Sequence, residues 1–332
     1  MNKKLDIQLQ LFQRIRDQVP DHVSLVDEIA DILEVSVDSA YRRIRGEKKL
    51  TLHEVEKLSK NFSFSVDDIT GNRRDTVTFK ANFLAEGDYS FADWLKHLLK
   101  LLKETGKHDD SEIMLILNEL SIFQIIQIPE VFAFKIYFWQ KSNLDFPNYR
   151  NTQFSLDEID PDTRMLLQEI VSKYVKINTR EFTTRECLNS YLKQVLYYLE
   201  AGYFSTKNDA KILCEKIHQL VGHLQKQAEL GYKYPFGQFP HGEEGNFQLY
   251  YNDIILADNT VLVSAGEDRS TFITSNAINL MYSHNLQFFN YNSEWGRNLL
   301  SKSTLISGTA EKERNKFFLS LRKQIDEVAA QI

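Results

Sequence analysis

The feature that most restricts the fold of this chain is a recurring helix-start pattern. At seven places a serine or threonine is followed three residues later by an acidic residue, so that a side-chain oxygen can accept a hydrogen bond from a first helical turn. The seven places are Ser24…Asp27, Thr51…Glu54, Ser65…Asp68, Ser90…Asp93, Ser155…Glu158, Thr183…Glu186 and Thr206…Asp209. Glycine (13) and proline (6) are scarce, so few segments resist helix formation. The chain is therefore predicted to be mainly α-helical.

Beyond residue 80, apolar spacing predicts seven helices and one β-rich stretch. The helices are expected at about 90–105, 129–143, 160–176, 184–201, 206–230, 292–303 and 310–330. β-prone runs separated by Asp258-Asn259 and Gly266-Glu267-Asp268 predict an antiparallel sheet near 246–290. Turn formers and charges at 70–75 mark a boundary. We therefore expect a domain at 1–70, a linker at 71–89 and a larger α+β domain at 90–332.

Charge and cysteine content restrict the surroundings and the partners. The net charge is −6, so any contact with nucleic acid must come from a local basic patch. No apolar run follows the first lysines, and no stretch reaches about 18 apolar residues, so neither a signal peptide nor a membrane span is expected. Cys187 and Cys214 match no metal or redox spacing. We expect a cytoplasmic protein without a metal or cofactor.

Residues 24–50 carry the clearest functional pattern. A first helix is predicted from Ser24 to about Glu34, with an apolar face made of Val26, Ile29, Ala30 and Leu33. Val35 enters the core at the turn, and Ser36 caps a second helix from Val37 to about Arg45. On a helical wheel the inward side holds Val37, Ala40 and Ile44, and the opposite side holds Asp38, Ser39, Arg42 and Arg45, with Tyr41 and Arg43 between them.

The outward side of this second helix suits contact with duplex DNA. Arginine can donate two parallel hydrogen bonds to guanine, and serine can donate to phosphates or bases. Residues 41–50 hold five basic groups and one acid, Glu47. The predicted DNA-contacting residues are Ser36, Asp38, Ser39, Tyr41, Arg42, Arg43, Arg45, Lys48 and Lys49.

Two stretches resemble the helix-turn-helix core of the lambda-repressor-like (Cro-type) family. They are Glu28-Ile29-Ala30-Asp31-Ile32-Leu33-Glu34-Val35-Ser36 and Arg42-Arg43-Ile44-Arg45-Gly46-Glu47, followed by Leu52, Val55, Leu58 and Val66-Asp67-Asp68-Ile69 at the family's next two helices. The resemblance covers residues 5–70 and implies a five-helix DNA-binding domain with the helix at 37–45 in the major groove. Glu34 replaces the family's usual turn glycine, and Ala40 replaces a larger apolar residue. The run 38–47 also resembles Bacteroidetes regulators with this domain layout.

The larger domain shows no enzyme signature. It lacks the glycine-rich dinucleotide and phosphate-binding patterns, the His-Glu-x-x-His zinc motif and the Gly-x-Ser-x-Gly nucleophile motif. Ser320 and Lys323 match Ser-x-x-Lys, but without its companion motifs. We therefore expect no catalytic residues and no enzymatic activity.

Two apolar patterns in the larger domain leave alternatives open. Residues Ala210, Leu213, Ile217, Leu220 and Leu224 form a helical seam, whose partner is either another helix of the domain or the same helix in a second subunit. The aromatic residues Phe132, Phe134, Tyr137, Phe138 and Trp139 belong either to the core or to the lining of a ligand pocket.

Together these features predict a sequence-specific DNA-binding transcription regulator. A homodimer is expected, because two copies reading a pseudo-palindrome reach useful affinity. The larger domain would serve oligomerisation or the sensing of a small-molecule effector that the sequence does not identify. The alternatives are a protein–protein adaptor without DNA binding and an enzyme fused to a DNA-binding module.

Overall fold

The computed structural model describes residues 6–16, 19–20, 23–62, 64, 76–84, 90–156, 160–241, 244–253, 259–276 and 278–332. Contacts divide the chain into two compact units, Met1–Val77 and Thr78–Ile332. Residues 80–81, within the segment expected as a linker, form a strand of the larger unit's sheet. None of the described helices is long and apolar enough to cross a membrane.

The first unit contains four helices within the described residues. They are α1 (Ile7–Arg16), α2 (Leu25–Leu33), α3 (Val37–Ile44) and α4 (Leu52–Phe62). Ser24 caps α2 and Ser36 caps α3, each accepting a hydrogen bond from the backbone N–H three residues on. The fifth helix, expected at 66–69, lies outside the described residues.

A compact apolar core joins these four helices. Its buried members are Leu11, Phe12, Ile15, Ile29, Ala30, Leu33, Ala40, Leu58 and Phe64. Ala40 is fully buried, and its small side chain lets α3 approach α2 closely. Val37, expected to face inward, is 48% exposed, because it lies in the first turn of α3, beyond the edge of the core.

Within the described residues, an eight-stranded mixed sheet forms the centre of the larger unit. The strands are β1 (Lys80–Ala81), β2 (Glu112–Ile116), β3 (Asn178–Thr183), β4 (Phe247–Tyr251), β5 (Thr260–Ala265), β6 (Asp268–Ser275), β7 (Asn279–Ser283) and β8 (Thr304–Leu305). Their order across the sheet is β1-β7-β6-β5-β2-β3-β4-β8.

The prediction of an antiparallel sheet near 246–290 is correct only for part of this sheet. Strands β5, β6 and β7 pair antiparallel in sequence order. Strand β4 is not their neighbour, because β2 and β3 lie between β4 and β5. Strands β2, β3 and β4 run parallel, which brings their carboxyl ends to one edge of the sheet.

Eight α-helices surround the sheet within the described residues. They are α5 (Phe91–Thr105), α6 (Ile122–Ile125), α7 (Pro129–Phe138), α8 (Pro161–Tyr174), α9 (Asn189–Glu200), α10 (Lys207–Leu230), α11 (Leu286–Leu300) and α12 (Glu311–Ala329). A π-helical turn, Trp139–Asn143, continues α7. Helix α11 packs on one face of the sheet, and the main core fills the other.

The apolar seam of α10 is internal. Ala210, Leu213, Ile217, Leu220 and Leu224 are each at most 1% exposed within the single chain, and α10 packs along α12. The seam is therefore not available as the interface with a second subunit. Four of the five clustered aromatic residues are buried as well, the exception being Phe138.

Candidate functional site

A left-handed residue forms the turn between α2 and α3. Glu34 has φ 55° and ψ 47°, and the Val35 N–H donates to the Ala30 carbonyl across 3.0 Å. Glycine adopts this conformation most readily. Glu34 Oε2 also lies 3.1 Å from Lys57 Nζ on α4. The turn therefore has the geometry that suits a glycine, with an ion pair beside it.

The outward side of α3 presents two exposed guanidinium groups. The side chains of Arg42 and Arg45 are 58% and 66% exposed, and the Arg45 guanidinium lies 5.3 Å from the centre of the Tyr41 ring. Ser36 and Asp38, at the start of the helix, are also exposed. The inward side of the same helix is anchored by Ala40, so this surface is held in a fixed orientation.

Arg43 does not belong to this surface, although it was predicted to contact DNA. Its side chain is only 4% exposed, and its Nε donates to Glu54 Oε1 across 3.0 Å. The same guanidinium donates to the Ser39 carbonyl and hydroxyl at 3.0 and 2.6 Å. Arg43 flanks the two faces of α3, and the carboxylate of Glu54 draws it inward, where it ties α3 to α4.

Glu54 is ionised in this arrangement. Partial burial acts to raise its pKa, but hydrogen bonds from Arg43 and Thr51 outweigh this and hold the pKa below its usual value. Glu54 Oε2 also accepts the Thr51 N–H across 2.8 Å. Ser39, which is half-buried, accepts hydrogen bonds from Arg43 through its carbonyl and its hydroxyl and so helps to position that guanidinium.

The loop after α3 carries one acidic and two basic side chains, Glu47, Lys48 and Lys49. Glu47 Oε2 lies 4.0 Å from Arg42 Nε, and Glu47 Oε1 lies 3.9 Å from Arg45 Nη1. Lys49, although 67% exposed, pairs with Asp6, and this ion pair lowers the pKa of Asp6. Lys48 is exposed. The basic surface is thus centred on Arg42 and Arg45, with one carboxylate at its edge.

Gln8, which sequence reasoning missed, fixes this loop. Its Nε2 donates to the carbonyls of Arg43 and Lys48 at 2.7 and 2.8 Å, and its Oε1 accepts the Leu50 N–H at 3.1 Å. Gln8 is 8% exposed. Gln8 occupies the first position of the buried stripe of α1, three residues before Leu11. A polar residue at this helical spacing from apolar core residues was the sequence pattern that could have identified it.

The larger unit contains a cleft of about 1150 Å³ at the carboxyl ends of its parallel strands. Asn118 and Glu119 follow β2, Thr184 and Glu186 follow β3, and Asp253 follows β4. Ligands of open α/β sheets bind outside this edge. Helices and loops complete the lining with Phe138, Lys141, Ser142, Asp145, Arg150, Asn189, Ser190, Lys193, Gln194, Tyr197 and Tyr203.

Several charged groups of this cleft are already held by ion pairs or hydrogen bonds within the chain. Glu119 accepts a hydrogen bond from Lys135 Nζ at 2.8 Å. Burial acts to raise the pKa of Glu119, but this ammonium group outweighs burial and lowers it. Arg150 donates to Asp145 through two nitrogens, at 3.0 and 2.8 Å. Lys141 donates to three backbone carbonyls of residues 149–152, and burial lowers its pKa.

Neither a metal site nor a comparison with known proteins assigns a function to these two sites. Within the part of the chain that the structure describes, no group of three His, Cys, Asp or Glu residues is placed to hold a metal ion. Both cysteines are buried thiols, and burial raises the pKa of Cys187 to about 12. Comparison of this chain with protein-family models, curated proteins and solved structures gave no match. The functional argument is therefore made from the geometry of the two units.

Proposed function

We propose that this protein is a sequence-specific DNA-binding transcription regulator whose first unit reads DNA through α3. The observation that carries the proposal is the exposure of Arg42 and Arg45, at 58% and 66%, on a helix whose opposite side is packed in the core. Within the described residues, neither guanidinium is held in an internal ion pair. The carboxylate that lies 3.9–4.0 Å from each of them, that of Glu47, is itself half-exposed.

The chemistry of the surface fits the major groove. Each guanidinium offers two parallel N–H donors that match O6 and N7 of guanine. Ser36, at the start of α3, offers a hydroxyl that can donate to a phosphate oxygen. Tyr41 and the half-exposed Val37 supply apolar surface for a thymine methyl group. Lys48 adds a cation for the backbone.

We further propose that the protein acts as a homodimer. One helix-turn-helix unit contacts few bases, and two units on a pseudo-palindrome multiply their affinity. Because the seam of α10 is buried inside the chain, the dimer surface must lie elsewhere.

The test measures binding of the full chain to a random-sequence 40-base-pair duplex across a salt series. Arg42→Ala with Arg45→Ala should weaken binding at least about tenfold and reduce the salt slope by about 2. The control is Lys96→Ala with Lys323→Ala, two exposed lysines of the larger unit with the same change in net charge. Equal losses for the two pairs would mean that overall charge, not α3, governs binding.

A conservative pair separates base reading from charge. Arg42→Lys with Arg45→Lys keeps both cations but removes the planar fork of donors. Binding to the random duplex should stay close to wild type, whereas preference for a duplex selected from a randomised library should fall. An unchanged preference would contradict base reading by these arginines. The adaptor alternative requires no DNA affinity even at low salt.

One observation favours a second candidate, an enzyme fused to the DNA-binding unit. Charged groups converge in the cleft at the carboxyl ends of β2, β3 and β4, the position that α/β enzymes use. The test incubates wild type and Glu186→Gln with a metabolite extract and follows composition by mass spectrometry. A compound consumed by wild type alone would support this candidate.

A further inference from the structure

A second cavity of the larger unit is lined by residues of α5, β2, β5 and β6. Its volume is about 120 Å³, comparable to a cavity of about 150 Å³ that accommodates benzene. Its apolar lining includes Leu98, Leu101, Ile113, Leu115, Leu117 and Val263. A small apolar molecule with a single six-membered ring therefore matches its size.

Two of its lining residues, Trp94 and Lys135, carry N–H donors that outnumber the acceptors they contact. Trp94 is 5% exposed, and its Nε1 has no hydrogen-bond partner among the described residues. Lys135 is 3% exposed and makes one described hydrogen bond, to Glu119, although an ammonium group carries three N–H donors. A buried donor without an acceptor is unfavourable. The Trp94 N–H therefore lacks an acceptor within the described part of the chain, and the Lys135 ammonium group has N–H donors beyond the one given to Glu119.

Charge determines which kind of oxygen would be accommodated. Lys135 is already paired with the carboxylate of Glu119 at 2.8 Å, and its ammonium group also lies 5.5 Å from the Trp139 ring centre. The pair has no net charge, so a second carboxylate would be buried without a cation of its own. A carbonyl oxygen accepts hydrogen bonds without adding charge.

Glu119 also connects the cavity with the surface. It is the residue shared between the lining of the cavity and that of the cleft, and its side chain is 37% exposed. A molecule that enters from the cleft would pass the Lys135–Glu119 pair and place its apolar body beyond it.

We propose that this cavity binds an uncharged, apolar small molecule with a carbonyl oxygen, which accepts hydrogen bonds from Trp94 and Lys135. The proposal concerns the larger unit and does not depend on DNA binding.

Cyclohexanone and methylcyclohexane test it, because they have equal numbers of non-hydrogen atoms and differ in the acceptor. Each is titrated into the full chain at matched free concentrations, and the indole N–H proton of Trp94 is followed by NMR. Trp94→Phe and Trp139→Phe assign that signal. Cyclohexanone should move it downfield, and Trp94→Phe should weaken the binding of cyclohexanone at least about fivefold while leaving that of methylcyclohexane close to wild type.

Three results would overturn the proposal. The first is equal weakening of ketone and hydrocarbon binding by Trp94→Phe, since the acceptor would then be irrelevant. The second is an unmoved Trp94 signal at saturating cyclohexanone, since the indole N–H would then have no acceptor from the bound molecule. The third is tighter binding of cyclohexanecarboxylate than of cyclohexanone, which would show that the cavity selects an anion.

Discussion

Acidification from about pH 7 to pH 5 is expected to weaken the larger unit through His223. This imidazole on α10 is 7% exposed and lies against the rings of Tyr234 and Phe236, with centres 4.8 and 5.4 Å away. Its Nε2 lies 3.0 Å from the Tyr234 carbonyl. Burial lowers the pKa of His223 from 6.5 to about 4, although the hydrogen bond to the Tyr234 backbone opposes this shift.

The direction and the size of the expected change in stability follow from the two pKa values, 6.5 in the unfolded chain and about 4 in the folded unit. Between pH 6.5 and about pH 4 the unfolded chain binds a proton at His223 that the folded unit does not bind. The free energy of unfolding is therefore highest above this pH range and decreases as the pH falls through it. Between about pH 7 and pH 5 the free energy of unfolding should drop by about 2 kcal/mol from this residue alone.

Tryptophan fluorescence in urea measures this loss selectively, because Trp94, Trp139 and Trp295 all lie in the larger unit. His223→Phe keeps a ring in the same aromatic surroundings and removes the titrating group. The difference in unfolding free energy between wild type and variant should change by about 2 kcal/mol across the two pH values. Parallel pH profiles for the two proteins would refute the reasoning.

Three further predictions concern backbone positions. Glu34→Gly should stabilise the first unit by about 1 kcal/mol, because φ is 55° there; slower amide exchange over 25–44, absent in Glu34→Gln, would show it. Gly222→Ala, where a methyl group meets nothing within 4 Å inside α10, should raise the free energy of unfolding in urea by about 1 kcal/mol. Gly245→Ala places Cβ 2.5 Å from the Ile177 backbone and should lower the same quantity by more than about 3 kcal/mol.

Helices could be predicted from sequence where local signals suffice. Ser24, Ser36, Ser90 and Thr206 cap helices as expected. The same pattern failed at Thr183, which ends strand β3, so α9 begins only at Asn189. A hydroxyl three residues before an acid identifies a helix start only when the chain is not already held in a sheet.

The parallel strands could not be predicted in this way. In β2, Ile113 and Leu115 face the main core while Met114 and Ile116 face α11. A strand buried on both faces loses the alternation that identifies exposed sheets. Strand β3 carries polar residues at buried positions, such as Glu181 beside Tyr174, which tertiary contacts alone explain.

The candidate DNA surface was predictable in outline but not in detail. The wheel placed Arg42 and Arg45 outward, where the structure has them. It could not show that Glu54, eleven residues beyond Arg43 and on another helix, would draw that side chain inward. The aromatic cluster was left open as a pocket lining, and Phe138 does line the cleft and Trp139 the cavity. The positions of the cleft and the cavity depend on β2, and that of the cleft also on β3, which were not expected.

The two-residue length of β1 and β8 has a consequence for solubility. These strands close the two ends of the sheet order, so the longer central strands have neighbours on both sides. An extended foreign segment that docked beside either end would find only a short row of free amide and carbonyl groups. Self-association by strand addition, which long bare borders invite, is thereby disfavoured.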